Sequence, residues 1–273
     1  MGTKLRLGRI GYINVLPIYY ALDQALVPNG AEVIWGTPAE LNALMGAGRL
    51  DVSGISSLEY GRHFHDYLLL SDLSISSQGD VGSVLFFSRL PFHRLSGRAV
   101  RLSHSSATSA ALVKILLAEI YGARPLYYSG PVAPQLADGC SGLLAIGDEA
   151  LRLRATGVYP YYLDLGRAWY ELTGLPFVFG VWAVRRSCFA QHRAQVDYLH
   201  QTLLMAKNWG LRSLMEISQR AADLIGLDHQ ELFDYFHLLN YDLGSRQQQG
   251  LQAFYHYLYK VGELAEIPEL RFI

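Results

Sequence analysis

Short runs of apolar residues alternate with longer segments of helical spacing through the first two thirds of the chain. The apolar runs predict strands at 5–10, 31–35, 52–55, 83–88, 98–102, 143–146 and 177–184. The intervening segments predict helices, and Thr37-Pro38-Ala39-Glu40 has the cap and first-turn proline of a helix start. From Ser187 onward one helical segment follows another. Strands alternating with helices predict a mostly parallel sheet that is covered on both faces.

The predicted strands at 83–88 and 177–184 bracket a middle α/β segment of about ninety residues, which is an ordinary size for a domain. A chain that leaves one α/β lobe, builds a second and then returns predicts two lobes with a cleft between them. The predicted lobes are 1–88 together with 179–273, and 89–178, with a helical C-terminal tail on the first. One larger doubly wound domain would give a similar pattern and stays an alternative.

Composition narrows the classes of partner. The 273 residues are 51% apolar and 17% charged, which is enough apolar material for a core. Because 23 Lys and Arg stand against 24 Asp and Glu, without any basic run, we expect no nucleic-acid partner. No apolar stretch approaches the roughly 20 residues of a membrane helix, so no membrane partner is predicted. The two cysteines, Cys140 and Cys188, lack metal-site spacing, and with no export signal recognised we expect a cytoplasmic protein without a metal.

Short polar residues lie at four of the predicted strand-to-helix junctions. They are Asn14, then Ser56 and Ser57, then Ser103, Ser106, Thr108 and Ser109, then Gly147 and Asp148. Ligands of open α/β sheets bind outside the carboxyl ends of the strands, where helix N-termini favour carboxylates and phosphates. The same residue types are ordinary helix caps, so one such junction alone is most often only a cap. Several at one sheet edge predict a pocket for a small anion.

Other signatures of catalysis are missing. The sequence has no G-x-G-x-x-G, G-x-x-x-x-G-K-[ST], H-E-x-x-H or G-x-S-x-G motif, which argues against dinucleotide, nucleotide, zinc-peptidase and serine-hydrolase sites. No cofactor is therefore predicted. His63 and His65, two residues apart, cannot face one ligand from a helix and are expected at the surface.

Particular strings of the sequence carry a resemblance to a known family. They are 8–17 (GRIGYINVLP), 55–60 (ISSLEY), 82–84 (GSV), 103–109 (SHSSATS), 146–148 (IGD) and 173–179 (TGLPFVF) followed by Trp182. In combination they resemble the chorismate dehydratase family, which opens the futalosine route to menaquinone. The resemblance spans roughly residues 5 to 185. It implies a periplasmic-binding-protein-like fold of type II, in agreement with the two predicted lobes.

The resemblance also implies a carbon–oxygen lyase that removes water from chorismate, a dicarboxylate, to give 3-[(1-carboxyvinyl)oxy]benzoate. On this hypothesis, neutral donors hold the two carboxylates. They are Ser56, Ser57, Ser103, Ser106, Thr108 and Ser109, with Gly147 and Asp148 also in contact with the substrate. Asn14 and Ser83 are expected at the reacting carbon and hydroxyl. The proton acceptor is either the enolpyruvyl carboxylate of the substrate or one of Glu59 and Asp148, while His104 is only a neighbour of the hydroxyl cluster.

Three other functions stay open at this stage. The naphthoate-forming sister enzyme of the same pathway shares the fold, although its members open with a Pro-Asn-Asp type string that Asn14-Val15-Leu16-Pro17 does not match. A non-catalytic protein that binds small anions would have the same fold. A ligand-sensing domain of a transcription regulator would need a helix-turn-helix segment, and the strand at the N-terminus leaves no room for one.

Overall fold

The computed structural model describes residues 4–103, 106–130 and 139–273. Within these ranges the strands form two sheets. The strands are β1 Arg6–Ile10, β2 Glu32–Gly36, β3 Val52–Ser56, β4 Tyr67–Ser77, β5 Val84–Ser88, β6 Ala99–Ser103, β7 Leu126–Gly130, β8 Gly142–Ile146, β9 Tyr161–Asp164, β10 Phe177–Arg185 and β11 Leu239–Asn240. The first sheet has the order β11-β4-β10-β3-β1-β2, and the second has the order β7-β6-β8-β5-β9.

Helices lie between these strands and after them. They are α1 Leu16–Asp23, α2 Pro38–Gly46, α3 Ser57–His63, α4 Ala107–Tyr121, α5 Gly147–Ala155, α6 Leu165–Thr173, α7 Arg186–Arg212, α8 Leu214–Ile225, α9 His229–Leu238 and α10 Ser245–Lys260. Two short 3-10 helices at Ile13–Val15 and Phe92–Arg94 complete the described elements. In these same ranges, none of the helices has the length and apolarity to cross a membrane.

Both sheets are mixed, which corrects the prediction of a mostly parallel sheet. In the first sheet β1 pairs in parallel with β2 and β3, but β10 is antiparallel to both β3 and β4. In the second, β6 is parallel to β7 and β8, whereas β5 is antiparallel to β8 and β9. Strand β5 follows the first crossing of the chain between the sheets, and β10 follows the second. Each therefore enters its sheet from the end opposite to the one where the parallel strands enter, and it runs antiparallel to them.

The chain passes from the first sheet to the second between β4 and β5, and it returns between α6 and β10. Two α/β units joined by two crossings have the arrangement that the sequence predicts. Residues 84–88, however, pair with the second sheet, whereas the predicted division places them in the first lobe. We therefore propose a division by sheets, with the crossings at 78–83 and 174–176. Below, the first and second lobes mean the units built on the first and second sheets.

Local sequence signals account for several helix boundaries. Thr37 and Glu40 form the reciprocal capping box at the start of α2, with Pro38 in the first turn. Asp228 caps α9 by accepting the N–H groups of Gln230 and Glu231. Helix α10 begins at Ser245, and its cap position belongs to Gly244.

A chain of buried hydrogen bonds fixes the start of α1 against the first sheet. The indole Nε1 of Trp182 on β10 donates to the Tyr19 hydroxyl at 2.9 Å, and that hydroxyl donates to the Gly8 carbonyl at 2.9 Å. Tyr19 and Trp182 belong to the main apolar core, and Gly8 is buried. Because α1 begins two residues after Asn14, this packing also fixes the segment that carries Asn14.

Candidate active site

A cleft lies between the two lobes at the carboxyl ends of β1, β3 and β8. The first lobe lines it with Ile10, Tyr12, Asn14, Val15, Pro38, Ile55, Ser56, Ile75, Phe179 and Gly180, and the second with Ser83, Val84, Ser106, Ser109, Ile146 and Gly147. None of these lining residues carries a charge. The cleft therefore offers apolar walls and neutral polar groups to a ligand.

Asn14 lies in the 3-10 helix that follows β1. Its Oδ1 atom is buried and has no hydrogen-bond partner among the described residues. A buried polar atom without a partner costs about 1–3 kcal/mol, and it is an exception that needs an explanation in a native structure. Because Asn14 lines the cleft, a ligand that places a hydrogen-bond donor such as a hydroxyl beside Oδ1 would supply the missing partner.

Ser56 and Ser57 are adjacent but have different environments. Ser56 lines the cleft, where its Oγ caps α3 by accepting the Glu59 N–H at 3.2 Å and also accepts from Asn42 Nδ2 at 3.4 Å. Ser57 is fully buried, and its hydroxyl donates to the Val178 carbonyl on β10 at 2.5 Å. The structure therefore places Ser56 at the cleft and Ser57 in the support behind it.

The segment from 103 to 109 divides in the same way. Ser106 caps α4 by accepting the Ser109 N–H at 3.2 Å, and the two hydroxyls lie 2.9 Å apart on the cleft wall. Thr108 is buried and faces the other lobe, where its Oγ1 accepts the Leu58 N–H of α3 at 2.9 Å. Ser103 ends β6 and lines a separate recess. His104 and Ser105 of the same segment lie outside the described residues.

Ser83 lies at the end of the first crossing, immediately before β5. Its carbonyl accepts the Gly147 N–H at 2.7 Å, and its buried Oγ accepts the Tyr235 hydroxyl at 2.9 Å. The two residues before it are held by Asp164, whose carboxylate accepts the N–H groups of Val81 and Gly82 at 3.0 and 2.7 Å. These bonds fix the backbone of Ser83 at the cleft wall.

Gly147 allows the second lobe to approach the first closely. Its φ is +59°, in the left-handed region that favours glycine, and a Cβ at this position would lie 3.2 Å from the Tyr12 ring. Sequence reasoning missed Tyr12 and the apolar residues of the cleft wall, such as Phe179. Tyr12 and Phe179 do lie within the strings that carry the family resemblance, and that was the available signal.

The two carboxylates considered as bases do not line the cleft. Glu59 accepts from the Tyr67 hydroxyl at 3.2 Å and lies 3.8 Å from His63 Nε2, and burial raises the pKa of its carboxyl. Asp148 accepts the Ile13 N–H at 3.2 Å, which joins α5 to the first lobe, and burial likewise raises its pKa. His65 is exposed and pairs with Glu266 at 3.0 Å.

Comparison with known proteins shows the family to which this chain belongs. The model of the menaquinone biosynthesis family matches residues 5–260. The chain belongs to this menaquinone biosynthesis family. The chorismate dehydratase of Thermus thermophilus is 34% identical over 263 residues, which are 91% of this chain and 93% of that protein. The chorismate dehydratase of Campylobacter jejuni is 34% identical over 63% of this chain and 64% of its own length. The resemblance found in the sequence strings is thereby confirmed.

Solved structures extend the family's fold to distant proteins. A crystal structure of an Archaeoglobus fulgidus protein superposes with a TM-score of 0.78 at 18% identity, covering 96% of this chain and 98% of that one. The periplasmic aliphatic sulphonate binding protein of Escherichia coli superposes with a TM-score of 0.66 at 11% identity, covering 99% and 96%. These likenesses confirm the periplasmic-binding-protein-like fold.

Proposed function

We propose that this member of the menaquinone biosynthesis family removes water from chorismate to give 3-[(1-carboxyvinyl)oxy]benzoate. The observation that carries the proposal is the uncharged cleft with the unpartnered Oδ1 of Asn14, in a chain that is 34% identical to a chorismate dehydratase along 91% of its length. The proposal includes a cytoplasmic location, in keeping with two buried cysteines that form no disulfide within the described residues.

The reaction is an elimination that balances without an oxidant or a reductant. The C–H bond at the ether-bearing ring carbon and the C–O bond of the ring hydroxyl break. The electron pair of the C–H bond becomes the third double bond of an aromatic ring, and the proton and hydroxide leave as water. Because aromaticity favours the product, the protein needs to bind the substrate, orient these two bonds and move one proton.

Neutral donors at the cleft hold the two substrate carboxylates. Ser106 and Ser109 form a pair of hydroxyls at the N-terminus of α4, and Ser56 lies at the N-terminus of α3. Hydroxyl hydrogens and the positive ends of helix dipoles stabilise carboxylates without a fixed cation. Asn14 and Ser83 lie at the ring, with the Asn14 amide beside the reacting carbon and the Ser83 hydroxyl beside the departing oxygen.

The enolpyruvyl carboxylate of the substrate accepts the ring proton. The described lining contains no Asp, Glu or His, and both Glu59 and Asp148 bond to groups outside the cleft. A carboxylate side chain facing a dianion would also be repelled by it. The substrate's own carboxylate, tethered through the ether oxygen, lies within reach of that carbon at a high effective concentration.

The test is to incubate the purified protein with chorismate and to separate the mixture by chromatography with mass detection. We expect a benzoate lighter than chorismate by one water, formed without added cofactor and strongly reduced with Asn14→Ala. Binding without turnover would contradict the lyase and favour a non-catalytic anion-binding protein. Neither binding nor turnover of chorismate would favour the sister reaction, and its substrate would then be assayed.

A further inference from the structure

Tyr235, on α9, is buried behind the cleft and does not line it. Its hydroxyl lies 2.9 Å from the Oγ of Ser83, although the two residues are 152 positions apart in the chain. The ring packs against Gly82, where a Cβ would lie 3.3 Å from it and where φ is +71°. The phenol is therefore held at the rear of the residue expected to contact the departing hydroxyl.

The direction of this hydrogen bond follows from the surroundings of the phenol. No described group other than Ser83 accepts the phenol hydrogen of Tyr235. If Ser83 donated to Tyr235 instead, that hydrogen would be buried without a partner, which is unfavourable. Burial raises the pKa of Tyr235 above the ordinary value for a tyrosine, so the phenol keeps its proton at neutral pH. Tyr235 is thus the donor and the Ser83 oxygen the acceptor.

We propose that Tyr235 is a positioning residue, which fixes Ser83 as a hydrogen-bond donor toward the substrate. The inference rests on the proposed function and adds a direction to the role of Ser83. With one lone pair of Oγ occupied from behind, the hydroxyl hydrogen of Ser83 turns to the cleft. A hydroxyl that accepts a hydrogen bond is also polarised into a stronger donor.

This orientation suits the departing hydroxyl of the ring. Negative charge develops on that oxygen as the C–O bond breaks, and a donor already aimed at it stabilises the charge without reorganisation. The backbone of Ser83 is fixed separately through Gly147 and Asp164. The rotation of the hydroxyl is the freedom that remains, and Tyr235 removes it.

Tyr235→Phe removes the hydroxyl and keeps the ring that packs on Gly82. We expect kcat for chorismate to fall by about tenfold or more while KM changes by less than about twofold, because the bond strengthens in the transition state. The matched control is Tyr241→Phe. Tyr241 is equally buried and its hydroxyl has no hydrogen-bond partner among the described residues, so kcat and KM should be unchanged.

The same substitution in a Ser83→Ala background separates positioning from a general structural role. We expect Tyr235→Phe to lower kcat no further there, since the group it orients is already absent. An unchanged kcat for Tyr235→Phe beside an active wild-type protein would overturn the inference and leave the proposed function standing. An equal loss of kcat with and without Ser83 would also overturn it. A wild-type protein that does not convert chorismate would overturn the proposed function and the inference together.

Discussion

The two ends of β1, β3 and β10 present opposite chemistry on the same three strands. At the cleft end, Asn14 lies beyond β1 and Ser56 is the last residue of β3. Neither carries a charge, and the buried amide oxygen of Asn14 has no partner among the described residues. At the other end, Arg6, Asp51 and Arg185 form a network of charged groups. One end of these strands is left open for a ligand, and the other is closed.

Hydrogen bonds among the charged groups explain why this end of the strands is closed. Asp51 accepts from the Arg6 backbone N–H and Nε, each at 2.9 Å, and from an Arg185 guanidinium nitrogen at 3.0 Å. Burial alone would raise the pKa of Asp51, but these hydrogen bonds together lower it to about 2. The Arg185 Nε also donates to the Leu50 carbonyl at 2.7 Å.

The difference shows which polar groups a sequence uses for stability and which it leaves for binding. The folded protein loses stability when one partner of a charge pair is removed, because the remaining charge stays desolvated. On the proposed function, the unpartnered amide oxygen of Asn14 costs stability in the empty protein and gains a partner when chorismate binds, since the ring hydroxyl of chorismate is a donor. Substitutions at the two ends should therefore affect different quantities.

The largest effect on catalysis is expected at the cleft end. Asn14→Ala should lower kcat for chorismate by about 100-fold or more, since small changes in orientation at the reacting carbon have large effects on rate. The melting temperature should stay the same or rise slightly, because the unpartnered oxygen is removed. Steady-state kinetics and calorimetry on the same preparation measure both. A clear loss of stability with normal kcat would assign Asn14 to the folded framework.

The largest effect on stability is expected at the charged end. Asp51→Asn should lower the free energy of unfolding by about 2–3 kcal/mol, because Arg6 and Arg185 lose their carboxylate, and it should leave kcat within about twofold. Because its folded pKa is lowered to about 2, wild-type Asp51 contributes stability that is present above about pH 4 and is lost as the pH falls toward 2. Denaturant titrations at several pH values measure this contribution. A variant as stable as the wild-type protein at neutral pH would contradict the account of this end.

Substitutions at two adjacent residues of α4, Thr108 and Ser109, form a matched pair of tests, and smaller effects on KM and stability are expected from them. Ser109→Ala should raise KM about fivefold with little change in stability, since its hydroxyl lies on the cleft wall. Thr108→Val should lower the free energy of unfolding by about 1–2 kcal/mol, because the Leu58 N–H loses its acceptor, and kcat should change by less than about threefold. If the two substitutions exchanged these effects, the division between cleft and support would be wrong.

A small effect on turnover is expected from Asp148, the carboxylate that follows Gly147 of the cleft wall. Asp148→Asn should keep kcat within about threefold, because an amide oxygen can still accept the Ile13 N–H. Since burial raises the folded pKa of Asp148, the wild-type protein is penalised once the group ionises. The variant should therefore gain stability relative to wild type as the pH rises above about 4, the ordinary pKa of an aspartate, and through the raised folded pKa of Asp148.

Turnover of Asp148→Asn against pH and unfolding curves at each pH measure these effects, with Glu59→Gln assayed beside it. Loss of most turnover in either variant would identify a protein base. It would contradict the mechanism in which the substrate carboxylate accepts the proton.

The fold class could be predicted from the sequence because the buried strands are short apolar runs. Strand β4 was missed since Ser71 and Asp72 interrupt it, and the serines that follow are buried rather than exposed. Ser74 is buried because its hydroxyl donates to the Asp242 carbonyl, 168 residues away. Residue type cannot reveal a partner so far along the chain.

The position of the site was predictable to the nearest junction but not to the residue. Ser56 and Ser57 are both serines at the start of the same helix. Because they are adjacent in the chain, their side chains point in different directions, and that of Ser57 faces β10. The partner that uses Ser57 is the carbonyl of Val178, 121 residues later. Tyr235 carried no signal in the sequence, since a lone tyrosine in an amphipathic helix is typical of packing.

The most direct test of the central claim is a crystal structure of the protein with 3-[(1-carboxyvinyl)oxy]benzoate. We predict that the ring lies between Asn14 and Ser83, with the Asn14 Nδ2 amide donating a hydrogen bond to the ligand and a carboxylate on the hydroxyls of Ser106 and Ser109. A ligand bound outside this cleft, or one whose carboxylates contact charged side chains in place of these hydroxyls, would contradict the account.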